Sequence, residues 1–153
     1  MPQTFRRTLR YTAVAFGVCA AAAVVAYQAA ATNPAWADAL FSPCLRNVVE
    51  SFLETEKPSG TYFQDIQSAL EADNLSGFIA SNNIQVALKA FALGITAGLG
   101  TLYVMLSTGQ MLGGFIGVGA YHDRTADVIA VVAPHGVLEL SAIFICAGAG
   151  LMI

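Results

Sequence analysis

The sequence predicts an all-α fold, a polytopic transmembrane helical bundle with a re-entrant half-helix in one reading and an extracytoplasmic acidic helical segment. Composition is the first support: 56% of the 153 residues are hydrophobic and 11% are charged, against about 25% charged in an ordinary soluble domain. Charge placement is the second, since no charged residue lies between Arg10 and Asp38 or between Lys89 and Asp123. Both gaps exceed the roughly 18 apolar residues that mark a membrane-spanning candidate. Glycines at helix-packing intervals are the third. Disorder is excluded by the abundance of apolar residues, and a net charge of -3 leaves no basic face for nucleic acid. Three cysteines are an odd number, and Cys19 and Cys146 lie inside apolar runs, so a disulfide framework fails as well.

Residues 1–10 form a basic N-terminus, in which Arg6, Arg7 and Arg10 place this end in the cytoplasm and send the chain outward. A first transmembrane helix, rich in Ala and Val, covers residues 11–31. A secretory signal is the rival reading, because Ala35-Trp36-Ala37 resembles an A-x-A cleavage site. Trp36 otherwise suits an aromatic anchor at the outer interface. Residues 32–80 turn polar and acidic, with Asp38, Glu50, Glu54, Glu56, Asp65, Glu71 and Asp73 against Arg46 and Lys57. Helical spacing recurs at Leu45, Val48, Val49 and Phe52, and again at Tyr62, Ile66 and Leu70. This segment is expected to lie against the outer membrane surface or a partner.

A second transmembrane helix is expected over residues 81–107, with Asn82 and Asn83 as its cap, since an amide side chain can accept from an orphan N–H of the first turn. Lys89 is then near enough to the outer interface to snorkel toward it. Gly94 and Gly98 make a G-x-x-x-G pair, whose missing side chains let two helix backbones approach. Residues 111–120 are too short to cross alone, supplying roughly 15 Å against a hydrocarbon core of about 30 Å. They are either shared between two tight spans or a re-entrant half-helix, and Gly113 and Gly117 favour close packing in both cases. Residues 128–153 complete the bundle as a transmembrane helix broken near Pro134.

His135 and Glu139 are four residues apart and share one helix face. A carboxylate inside a membrane costs about 2.5 to 3.5 kcal/mol unless paired. The pair is read as a structural clasp between helices, with a proton relay or cation site as the alternative. His122, Asp123, Arg124 and Asp127 read as a solvated connection. No nucleophile stands beside a base, no phosphate loop follows a strand and no zinc spacing appears, so neither catalysis, metal nor cofactor is expected.

Taken in order, Asn82-Asn83-Ile84, the run Phe91 to Thr101, Gly109 with Met111-Leu112-Gly113, His135 to Leu140 and Ala147 to Leu151 resemble the stage II sporulation protein M family. Arg6-Arg7 before the first span and Asn33 to Ala37 after it match more loosely. The matching positions are Asn83, Gly94, Gly98, Gly109, His135, Gly136 and Glu139, and no catalytic role travels with them. Family members usually continue on both sides of this stretch, so the chain is expected to be a fragment. The namesake is a polytopic membrane protein that assembles with peptidoglycan-degrading partners, which implies cell-wall-remodelling partners here. The expected location is the bacterial cytoplasmic (inner) membrane, multi-pass. The expected partners are the lipid bilayer and other membrane proteins, with a homo-oligomer as a further option and nucleic acid excluded. The leading functional expectation is a non-catalytic scaffold or assembly component of a membrane complex. A transporter or channel component using His135 and Glu139 is the alternative.

Overall fold

The computed structural model describes residues 3–33, 35–36, 41, 46 and 75–153. The two short helical patterns expected around Leu45 to Phe52 and Tyr62 to Leu70 lie outside the described residues. Four α-helices are present among those described: α1 Gln3–Thr32, α2 Leu75–Ala92, α3 Leu99–Tyr121 and α4 Thr125–Gly150, with a 3-10 turn at Leu93–Thr96. The fold is all-α, as the sequence predicts.

Several boundaries differ from the sequence expectation. The span expected over 81–107 is two helices. α2 begins at Leu75, so Asn82 and Asn83 lie inside it rather than capping it, and it ends at Ala92. Ala97 (φ 55°) and Gly98 (φ 79°) then reverse the chain through two consecutive left-handed residues. Glycine carries no penalty there, whereas an alanine does. Thr96 holds the reversal, donating its hydroxyl to the Leu93 carbonyl at 2.7 Å and accepting the Gly100 N–H at 2.8 Å. Residues 111–120 are not a half-helix; they belong to the 23-residue α3, whose length of roughly 35 Å suffices to cross a hydrocarbon core of about 30 Å. Nor does α4 break at Pro134, since it runs through 26 residues from Thr125. An apolar helix tolerates proline when neighbouring groups meet the freed carbonyl.

Relative directions follow from the contacts. Along α3, Gly109, Gly113 and Gly117 meet Cys19, Ala23 and Tyr27 of α1 in the same order, so α1 and α3 run parallel. Thr8 reaches Met152, Gly148 abuts Thr12, and Phe16 meets Phe144 edge-on at 5.3 Å between ring centres, so α4 runs antiparallel to α1. Asn83 pairs with Glu139, and Gly150 lies against Ala90, which makes α2 parallel to α4. One end of the bundle therefore gathers the start of α1, the turn after α2 and the end of α4. The start of α2, the end of α1 and the turn between α3 and α4 occupy the other.

Residue size is inverted relative to a water-soluble core. The buried residues are mostly small, including Ala15, Cys19, Ala22, Ala26, Ala30, Ala90 and Ala147, while Met105, Ile143 and Val128 are the largest fully buried side chains. Outside stand Leu138 (78% exposed), Val137 (71%), Val25 (68%) and Ile84 (62%). Water would make such a surface an aggregation site. Lipid reverses the preference, because tails solvate large apolar groups and helices then associate through small residues that admit close approach.

Candidate functional site

Two kinds of contact hold the helices together. The first is the seam between α1 and α3, the most extensive helix pair in the bundle. Alanine dominates α1, and alanine is the best helix former. Its buried positions Ala15, Cys19, Ala22, Ala26 and Ala30 repeat every three or four residues, which keeps them on one stripe. The opposing stripe on α3 is Gly109, Gly113 and Gly117. A Cβ at Gly113 would overlap the Ala23 backbone, one at Gly109 the Cys19 carbonyl, and one at Gly117 would fall 2.6 Å from the Tyr27 carbonyl oxygen. The two backbones touch only because the side chains are absent. An apolar recess of about 200 Å³ lies in the seam beside Ala23, Tyr27, Gly113 and Ile116.

The second contact is polar. The Asn83 amide donates to the Glu139 carboxylate across α2 and α4, and both residues are half-buried. Glu139 is thus clasped by an amide on another helix. His135 shares its helix face four residues earlier, but the His135 side chain lies outside the described residues. Asn83 belongs to this clasp; the expectation that it caps a helix placed it on the right element in the wrong role. A polar amide in the middle of an apolar run, where it must find a partner, was the signal available in the sequence.

Gly94 and Gly98 do not share one helix face. Gly94 sits in the 3-10 turn, where a Cβ would overlap the Gly150 backbone, and Gly98 takes the left-handed conformation. Around Gly94 the ends of three helices meet: the Thr101 hydroxyl donates to the Ala90 carbonyl at 2.7 Å, and a Cβ on Gly150 would lie 2.5 Å from that same oxygen. Thr101 and Gly150 were not singled out by the sequence.

At the opposite end, α3 closes with a Schellman motif. Arg124 N–H donates to Gly119 O at 2.7 Å and Asp123 N–H to Ala120 O at 3.2 Å, with Asp123 at φ 56°. Arg124 and Asp127 do not belong to a solvated connection. They form an ion pair at 2.8 Å and are 8% and 6% exposed, whereas His122 and Asp123 are exposed. Lys89 is in the last turn of α2 and so stands at the end of the bundle that holds Arg7 and Arg10. The expectation that it lies at the interface opposite the N-terminus is corrected by the parallel packing of α2 on α4.

The helices Arg7–Thr32 and Leu99–Tyr121 are long and apolar enough to cross a membrane, and large apolar side chains face outward around a small-residue interior. The molecule is therefore an all-helical membrane protein. Comparison with known families then places it: the sequence model described as stage II sporulation protein M matches residues 9–153, and the chain belongs to that family. It is also similar to an uncharacterized protein of Methanocaldococcus jannaschii, at 34% identity over 76 residues, covering 49% of this chain and 43% of that protein. The chain thus spans less than half the length of the curated relative it matches. No solved structure matches it.

Proposed function

We propose that the protein is a non-catalytic scaffold or assembly component of a membrane complex, crossing the bacterial cytoplasmic membrane with each of its four described helices. Charge asymmetry supports the topology. Arg7, Arg10 and Lys89 gather at one end, while at the other Arg124 is neutralised by Asp127. Cytoplasmic ends hold the excess of Lys and Arg, so the start of α1, the turn after α2 and the end of α4 face the cytoplasm. The acidic stretch 34–74 and the turn at Tyr121 to Thr125 then lie outside. Single cysteines at Ile95→Cys and Asp123→Cys test this in intact cells: a membrane-impermeant maleimide should label only the second. Labelling of the first, or of both, overturns the topology.

The observation that carries the scaffold role is the interior itself. Along the seam the helix backbones touch, and the carboxylate at mid-length of α4 is engaged by Asn83, so the polar groups read as fastening elements. Membrane proteins, cell-wall-remodelling ones among them, are the proposed partners. A conduit role for His135 and Glu139 has one observation in its favour: the Glu139 carboxylate is half-buried at mid-length of α4. Reconstitution in liposomes separates the two. The scaffold reading expects a preformed proton gradient to persist, with wild type and Glu139→Gln alike. A gradient that collapses with the wild type and persists with Glu139→Gln overturns it.

A further inference from the structure

We infer that the outward face of α2 is the contact seam of a parallel homodimer, its register set by Gln85; the inference rests on the proposed topology, in which α2 crosses the membrane. Asn83 points into the bundle and is met by Glu139. Two residues on, about 200° round the helix, Gln85 points away from it. Its one side-chain partner among the described residues is the Ser81 hydroxyl on the same helix, at 3.5 Å, a distance at which a hydrogen bond contributes little. Gln85 lies seven residues before Ala92, roughly 10 Å inside the helix end, so in a spanning α2 its amide faces hydrocarbon. A primary amide offers two donors and two acceptor sites, and leaving them unmet in an apolar medium costs several kcal/mol.

The surroundings of Gln85 specify what meets it. Ser81, Gln85, Leu88 and Ala92 are all exposed and follow a four-three-four spacing, that of a left-handed helix pair. Leu88 is 61% exposed, Ser81 and Ala92 are small enough for close approach, and Lys89 flanks the line at its cytoplasmic end. A second copy satisfies this face without further invention. The positive-inside bias gives both copies one orientation, so a two-fold axis along the membrane normal sets Gln85 opposite Gln85 at equal depth. Each amide can then donate to and accept from its twin, and such a polar pair within a helix seam fixes register and strand number.

Cross-linking of the full chain in native membranes tests this, with Cys19, Cys44 and Cys146 replaced by alanine and one cysteine introduced at a time. Oxidation should give several-fold more disulfide-linked dimer from Ser81→Cys, Gln85→Cys and Leu88→Cys than from Ile84→Cys and Phe91→Cys, which lie off the seam. Subunit counting on the wild-type chain should give two copies per particle. Uniform or absent cross-linking, with Gln85→Cys shielded from a water-soluble maleimide, overturns the dimer and leaves the topology standing. Free labelling of Gln85→Cys by that reagent overturns the topology and the dimer with it. Cross-linking of these positions to a different protein also overturns the proposal.

Discussion

The α1–α3 half of the bundle is joined by shape alone, whereas the α2–α4 half adds a polar clasp to close backbone contact at Gly94 and Gly150. Alanine and glycine remove every obstacle between α1 and α3, so that pair is held by shape, and dispersion contacts accumulate along its length. Between α2 and α4 a polar clasp does part of the fastening, through Asn83 and Glu139. A shape-held seam cannot accept an added methyl group and has no donor or acceptor to lose. A hydrogen-bonded pair tolerates changes of size and responds to loss of a donor or acceptor.

The most damaging change should be Gly113→Ala. Its Cβ meets the Ala23 backbone, and backbone cannot step aside as the tip of a flexible side chain can. Relief requires the helices to separate, at a cost of about 3 kcal/mol or more. Measured in a mild detergent as loss of thermal stability, this should contrast with Gly17→Ala, where nothing lies within 4 Å of the new Cβ. That second change should leave stability equal or improve it by up to about 1 kcal/mol through helix propensity. Equal losses at the two sites would falsify the claim that shape holds the α1–α3 seam.

Next in size is Gly94→Ala, which drives a methyl group into the Gly150 backbone where the turn after α2 meets the end of α4. Overpacking there should cost about 2 kcal/mol, and it should loosen α4 from α2 while leaving α1 on α3. Cross-linking between cysteines placed along each pair reads this directly: a fall confined to the α2–α4 pair is expected, and a fall in both would mean the halves are not separable.

The clasp is worth less. A double-mutant cycle on Asn83→Ala and Glu139→Ala should return a coupling of about 1 kcal/mol, the ordinary scale for interhelical hydrogen bonds in membranes. Asn83→Leu should be tolerated sterically, and Gly113→Leu should not. Zero coupling in the cycle would remove the polar half of the comparison.

The sequence made one of these halves more legible than the other. Composition and uncharged runs pointed to an all-helical membrane protein, and Gly113 and Gly117 stood out because glycine is costly inside a helix without a packing reason. Their partner stripe did not stand out. Alanine lies on every face of α1, so the buried Ala15, Ala22, Ala26 and Ala30 have no contrast against their exposed neighbours. The turn after α2 was hidden for a related reason: Gly94 and Gly98 fit a helix-packing spacing as well as a reversal, and Ala97 carries no turn signal. Pro134 signals a break in a water-exposed helix, but in this apolar bundle α4 continues through it. Spacing offers His135 as the neighbour of Glu139, whereas the donor found among the described side chains, Asn83, is 56 residues distant. Local spacing has no access to a pairing that only the return of the chain creates.

The smallest expected effect lies where the two halves are spliced, at the turn from α3 to α4. Asp123 holds φ 56°, a conformation an aspartate enters at some cost and a glycine at none, and the Schellman bonds from Asp123 and Arg124 need that conformation whichever residue adopts it. Asp123→Gly should therefore raise stability by a few tenths of a kcal/mol, offset in part by the larger backbone entropy glycine gives the unfolded chain. The Asp123 side chain is exposed, so no buried partner is lost. Asp123→Val should lower stability by about 1 kcal/mol or more, because a branched side chain crowds the left-handed backbone. Thermal unfolding in detergent that ranks glycine, aspartate and valine in this order would locate the strain in the backbone. A lower stability for Asp123→Gly than for the native chain would instead assign the carboxylate a contact of its own, and the splice would then be polar, like the α2–α4 half.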